Sequence, residues 1–225
     1  MAQDLVQKLK NSIDQTLLKP NHTFNDYKNF LEESASYEFA AICIPSSYIS
    51  LTKETLGTDS LTQIATVAGF PLGYSTLESK VFETQNAITL GADEVDYVID
   101  ISKARSHDWK SLEEEMLAIK NAASGKASIK AIIETAYLEQ DEKKKLCELV
   151  LETGIDYIKT STGFASFGAE LEDIKLFYSI LKGERKIKAS GGIKNLEQAL
   201  KFIEVGADRL GTSSGISIIK EAKNA

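Results

Sequence analysis

The stretch Leu90-Gly91-Ala92-Asp93-Glu94-Val95-Asp96-Tyr97-Val98-Ile99 carries the end of a helical pattern into a strand, and the chain repeats its form twice. The repeats are Thr153-Gly154-Ile155-Asp156 and Val205-Gly206-Ala207-Asp208, each again leading into a short apolar run. Glycine fits these junctions because the residue that ends a helix often needs a positive φ, which costs a side chain dearly. One helix-to-strand junction used three times is the mark of a repeated βα unit.

Working outward, eight strand-like runs are found: Ile13–Leu18, Phe39–Ile44, Ile64–Phe70, Glu94–Ile99, Ile129–Glu134, Asp156–Ser161, Lys186–Ser190 and Asp208–Thr212. They are nearly continuous apolar runs, as parallel strands covered on both faces should be. Helical stripes lie between them. Trp109, Leu112, Met116, Ile119 and Ala123 step by three and four, as do Leu196, Ala199, Leu200 and Ile203. Ser75 to Glu78 and Asn195 to Gln198 read as capping boxes. Leu5, Val6, Leu9 and Ile13 outline an amphipathic first helix. Eight βα units in 225 residues predict a single-domain (β/α)8 TIM barrel over residues 1–225 with a short N-terminal helix. A doubly wound open sheet would also alternate, but with fewer strands. Its dinucleotide-binding version would place GxGxxG after the first strand, where this chain has none.

Composition narrows the function. The apolar share of 43% fills a sizeable core, and the net charge of −7 argues against a nucleic-acid face. No apolar run approaches the ~20 residues that cross a bilayer, and the N-terminus lacks a signal-peptide core. Cys43 and Cys147 form no CxxC pattern, and His22 and His107 have no partner at metal-ligand spacing. The expectation is a cytoplasmic enzyme without metal or cofactor.

In a barrel, chemistry gathers at the C-terminal ends of the strands. Reading those ends gives Asp14, Lys19, Cys43, Asp96, Asp100, Glu134, Lys159, Lys188, Gly191-Gly192 and Ser213-Ser214. Charges inside covered strands are costly unless paired, so they need a reason. Lys159 and Lys188 fall on successive strands. Two ammonium groups about 5 Å apart repel by roughly 3 kcal/mol at an effective dielectric of ~20, or about two pKa units. A free lysine is only ~0.04% neutral at pH 7, so such a shift would make a usable nucleophile for a Schiff base. The plainer reading pairs each lysine with a carboxylate, and Asp96 is either that partner or a proton shuttle. Asp14 reads as a supporting carboxylate, and Cys43 as packing or a wall of the pocket. The turns Gly191-Gly192 and Gly211-Thr212-Ser213-Ser214-Gly215 follow strands seven and eight, where barrels often bind phosphate through backbone amides.

These residues resemble the deoxyribose-phosphate aldolases. The likeness runs in order through Ile13-Asp14-Gln15-Thr16-Leu17-Leu18, Ala41-Ile42-Cys43, Val67 to Gly73, Gly91 to Asp96, Ile132 to Thr135, Ile158-Lys159-Thr160-Ser161-Thr162-Gly163-Phe164, Lys188-Ala189-Ser190-Gly191-Gly192-Ile193 and Gly211-Thr212-Ser213. The resemblance implies a metal-free class I aldolase. Its substrate would be 2-deoxy-D-ribose 5-phosphate, cleaved reversibly to D-glyceraldehyde 3-phosphate and acetaldehyde by a homodimer. It casts Lys159 as the imine lysine, Lys188 as the group lowering its pKa, Asp96 as the proton relay and Asp14 as its support. Cys43 would lie near the substrate, Thr162 and Gly191 would help bind it, and Gly163, Gly192, Ser213 and Ser214 would surround its phosphate. Gln15, Asp100, Ser102 and the Ala165-Ser166-Phe167 loop depart from the family pattern. So does the Lys223-Asn224-Ala225 ending, which lacks the terminal tyrosine many members carry. Two other readings stay open at this stage: a Schiff-base aldolase or transaldolase for a longer sugar phosphate, and a sugar-phosphate-binding barrel weakened in catalysis.

Overall fold

The computed structural model describes residues 2–224; Met1 and Ala225, the last residue of the C-terminal reading, lie outside the described residues. Eight parallel strands close in sequence order into one barrel. They are β1 (Ile13–Thr16), β2 (Ala41–Cys43), β3 (Gln63–Ala68), β4 (Glu94–Val98), β5 (Ser128–Ile132), β6 (Tyr157–Lys159), β7 (Lys186–Ser190) and β8 (Arg209–Thr212). All eight expected runs are strands, most of them trimmed by one or two residues at an end. The helices are α1 (Ala2–Lys10), α2 (Phe24–Ala35), α3 (Ile49–Leu56), α4 (Leu77–Leu90), α5 (Ile101–Arg105), α6 (Trp109–Ala123), α7 (Gln140–Thr153), α8 (Leu171–Leu181), α9 (Leu196–Glu204) and α10 (Gly215–Lys223).

The threefold junction has a mechanical role. Gly91, Gly154 and Gly206 take φ of 109°, 74° and 113°, turning the chain out of α4, α7 and α9. The aspartate two residues on then clamps the start of the preceding strand. Asp93, Asp156 and Asp208 each accept a 2.8 Å bond at Oδ2 from the amide of Ile64, Ile129 and Ile187. Their own amides donate to the carbonyls of the same three residues. Each unit thereby fixes the register of its neighbour at the bottom of the barrel.

Local signals were nearly right. The α6 stripe is buried as expected apart from half-buried Trp109. The box placed at Ser75 is displaced by one residue: Thr76 caps α4, accepting from the Ser79 amide. Asn195 does cap α9, while Gln198 returns its bond to Lys194 rather than to Asn195.

Alternation along the strands divides the molecule in two. Ile13, Ile42, Ile64, Val95, Ile129, Ile158, Ile187 and Leu210 face the helices and form the continuous apolar core. The opposite parity points into the barrel. Ala41, Cys43 and Ala65, with Leu18 and Val67, make a small apolar group there. That interior also holds Asp14, Glu94, Asp96, Lys130, Lys159, Lys188 and Arg209, all buried.

Candidate active site

Strand register brings the charges together. Asp96 is level with Lys130, Lys159 with Lys188, and Lys188 with Arg209. Lys159 Nζ donates to Asp96 Oδ2 at 2.8 Å, and Lys188 Nζ donates to the same oxygen at 2.6 Å. The other Asp96 oxygen accepts from Lys130 at 2.7 Å. Lys188 also bonds Asp14, Lys130 reaches Glu94 at 2.5 Å, and Arg209 bridges Asp14 and Glu94.

Counting charge in this cluster is informative. Three carboxylates, Asp14, Glu94 and Asp96, face four cationic side chains, Lys130, Lys159, Lys188 and Arg209. Lys130, Lys188 and Arg209 each hold two carboxylates and suffice to neutralise all three. Lys159 holds one, through an oxygen it shares with Lys188. It is the surplus cation.

The titration behaviour follows. Burial pushes the Lys159 pKa down; Asp96 opposes this, and the Lys188 ammonium adds to the lowering, leaving it below the ordinary lysine value. Burial thus outweighs the lysine–lysine repulsion on which the sequence argument relied. Burial acts on Lys188 too, but Asp14 and Asp96 outweigh it and hold its pKa above the usual range. Lys130 is raised likewise. Against the cost of burial, the three lysines hold Asp96 well below the carboxylate range, and Lys188, Arg209 and Lys130 hold Asp14 down at about 2.

Lys159 alone of these seven opens on a cavity of about 530 Å³ at the C-terminal mouth of the barrel. It is lined by Thr16, Leu17, Leu18, Lys19 and His22 from the end of β1 onward, and by Thr162, Gly163, Ser190 to Lys194 and Gly211 to Ser214 from the ends of β6, β7 and β8 onward. Gly163, Gly191 and Gly192 all have φ near 85°. A side chain at Gly163 or Gly192 would meet nothing within 4 Å, so their backbone is bare toward approaching groups. Gly191 instead serves a close crossing, since a Cβ on Gly168 would fall 2.2 Å from its carbonyl oxygen. Ser213 and Ser214 stand immediately before α10. The cavity thus presents amides, hydroxyls and the Lys194 side chain together with the amine.

The expected residues therefore separate into two layers. Lys159, Thr162, Gly163, Gly191, Gly192, Ser213 and Ser214 reach the cavity; Asp14, Asp96 and Lys188 lie beneath it. Cys43 packs against Ala41 and Ala65 within the barrel, its thiol pushed up by burial. Gln15 is buried and accepts from the Gly215 amide at 2.9 Å, so it caps α10. Asp100 caps α5 through Ser102. Lys130, Glu94 and Arg209 were missed. Each is a charge at an inward position of a covered strand, and strand parity was the signal that could have found them.

A (β/α)8 barrel with one surplus amine at the floor of a cavity walled by amides and hydroxyls defines a Schiff-base-forming lyase. Residues 9–221 match the model of the DeoC/LacD family of aldolases. The chain is 45% identical to the deoxyribose-phosphate aldolase of Finegoldia magna, over 95% of this chain and 99% of that one. It is 48% identical to that of Clostridium botulinum, over 92% and 93%. Among solved structures, the tetrameric deoxyribose phosphate aldolase of Aeropyrum pernix superposes with a TM-score of 0.86 at 31% identity, covering 99% and 98% of the two chains. The aldolase QR15 gives 0.90 at 39%, covering 95% of each. The chain belongs to the DeoC/LacD aldolase family.

Proposed function

We propose that this aldolase cleaves 2-deoxy-D-ribose 5-phosphate reversibly to D-glyceraldehyde 3-phosphate and acetaldehyde, with Lys159 as the imine-forming residue. The observation that carries the assignment is the charge count: of the seven clustered charges Lys159 alone reaches the cavity, and the cluster is neutral without its proton. As a free amine it adds to C1 of the open-chain sugar, giving a carbinolamine that loses water to become an iminium. Loss of the C3 hydroxyl proton breaks the C2–C3 bond, and its electron pair flows to the iminium nitrogen. The enamine left behind gains a proton at C2, and water releases acetaldehyde. Asp96, bonded to Lys159, is placed to relay protons at the nitrogen. Lys188 stays charged and keeps the Asp96 oxygen occupied. Gly163, Gly192, Ser213 and Ser214 offer donors to the phosphate, as the relatives' substrate requires.

Trapping with acetaldehyde and borohydride, followed by mass mapping, tests the assignment. One adduct on Lys159 is expected, none in Lys159→Leu; an adduct on another lysine refutes it. Steady-state rates should favour deoxyribose 5-phosphate over fructose phosphates. We also propose a homodimer, on the strength of the family resemblance. The tetramer of the Aeropyrum pernix relative makes light scattering the deciding measurement, and any count but two copies refutes it.

A further inference from the structure

Glu134 accepts no hydrogen bond from the cation cluster, though the Lys159 charge bears on it, and it is 2% exposed at the mouth of the barrel. Its backbone takes φ 53°, ψ 71°, a left-handed conformation costly for any residue with a Cβ. The hydrogen bonds around it explain the turn. The Ile133 amide donates to the Lys159 carbonyl and the Thr135 amide to the Thr160 carbonyl. The chain after β5 therefore advances two residues while the chain after β6 advances one, which is a bulge. Bulges beside active sites re-aim a side chain. Here the re-aimed carboxylate points across to Thr162. It accepts from the Thr162 amide at 3.2 Å and from the Thr162 hydroxyl. That hydroxyl oxygen in turn accepts from the Phe164 amide at 3.1 Å. Residues 162 and 164 are thus both pinned, and Gly163, bare toward the cavity, is held between them.

We propose that Glu134 is a positioning residue for the phosphate-facing turn at Gly163, acting through Thr162 and touching no reacting atom. This rests on the substrate reading above. Strain at one residue is kept where the surrounding structure fixes it for a purpose, and among the described residues the carboxylate's hydrogen bonds all go to that turn. The bond goes to the end of the cavity that receives the phosphate, so the consequence is selective for phosphorylated sugar.

The test compares 2-deoxyribose 5-phosphate with unphosphorylated 2-deoxyribose in the whole enzyme. Glu134→Gly removes the carboxylate and suits the positive φ, separating the lost bond from backbone strain. Its KM for the phosphorylated sugar should rise roughly tenfold more than for the unphosphorylated one, the scale of one charge-assisted hydrogen bond. Thr162→Val removes the hydroxyl's bonds to Glu134 and from the Phe164 amide while keeping the Thr162 amide bond, and should show the same selectivity, whether or not the glycine variant folds. Glu134→Gln still accepts from Thr162, so it should restore most of the affinity and share the wild-type pH profile. Equal losses on both sugars, no loss, or a glutamine variant with a displaced pH profile would overturn the proposal. Wild type that turns over neither sugar would instead overturn the substrate reading and, with it, this inference.

Discussion

Lys188→Leu removes the ammonium that shares the Asp96 oxygen with Lys159. Both nitrogens lie within hydrogen-bond distance of that oxygen, at 2.6 and 2.8 Å, so they are no more than about 5.4 Å apart. At about 5 Å and an effective dielectric of ~20, their repulsion is roughly 3 kcal/mol, or about two pKa units. The charge count moves in the same direction. Without Lys188, three carboxylates face only Lys130 and Arg209, and a protonated Lys159 becomes the third cation that balances them. Lys159 should therefore keep its proton to higher pH. Wherever the pH lies below the Lys159 pKa, each unit of that rise removes a factor of ten in reactive amine. The pH–rate profile for retro-aldol cleavage, followed by coupled assay from about pH 6 to about pH 10, should move its rising limb up by about two units. Activity near neutrality should fall about a hundredfold and recover largely at the alkaline end. A profile that keeps its limb and only loses height would refute the electrostatic role and leave Lys188 a structural residue. A limb moving to lower pH would refute the charge count itself.

Two further outcomes follow from the same count. Lys130→Met strips a cation from both Glu94 and Asp96, and breaking buried pairs in this way costs about 3–5 kcal/mol. Lys159→Leu removes the surplus cation and should leave the melting temperature unchanged or raised; calorimetry on the two variants side by side checks this, and equal destabilisation refutes the distinction. Acid should act through Asp14, whose pKa falls from 3.8 to about 2 on folding. A depressed pKa stabilises the fold fully above the unfolded value, so this contribution, about 2 kcal/mol, should be lost as the pH drops from about 4 through about 2. In denaturant titrations Asp14→Asn should flatten the slope of stability over that window, and an unchanged slope would refute it.

Most of the barrel could be read from the chain because its determinants are local. Glycine at 91, 154 and 206 ends a helix by backbone geometry alone, and strands covered on both faces show as apolar runs. The clamping role of the aspartates of the same repeat was not legible, because their bonds to Ile64, Ile129 and Ile187 exist only once neighbouring strands lie side by side. The candidate site was legible to the same depth. Lys159 and Lys188 stand out at strand ends followed by glycine turns. Lys130 and Arg209 lie deeper in the barrel or at a strand start, in runs that resemble a strand with one solvent-facing charge. Their meaning depends on register, which sets Asp96 beside Lys130 and Lys188 beside Arg209. Thr76 displaced Ser75 as the cap of α4 because adjacent hydroxyl residues compete for one position, and the sequence carries no preference strong enough to choose.

The charge count also bears on the bond-breaking step. An imine on Lys159 is reactive as the protonated iminium, which returns the fourth positive charge to a cluster holding three carboxylates. The imbalance that lowers the Lys159 pKa must therefore raise the free energy of the iminium as well. Cleavage of the C2–C3 bond relieves it, because the electron pair that enters the nitrogen converts the iminium to a neutral enamine and restores three against three. The excess charge disfavours the state before bond breaking and not the state after it, so it lowers the barrier between them in proportion to the charge already transferred at the transition state. Asp96 limits the cost of reaching the iminium, since its Oδ2 remains bonded to the nitrogen. A cluster with a fourth carboxylate would form the iminium more readily and would hold it there. One carboxylate too few, at the floor of the cavity, is the arrangement in which amine release and carbon–carbon cleavage are favoured by the same field.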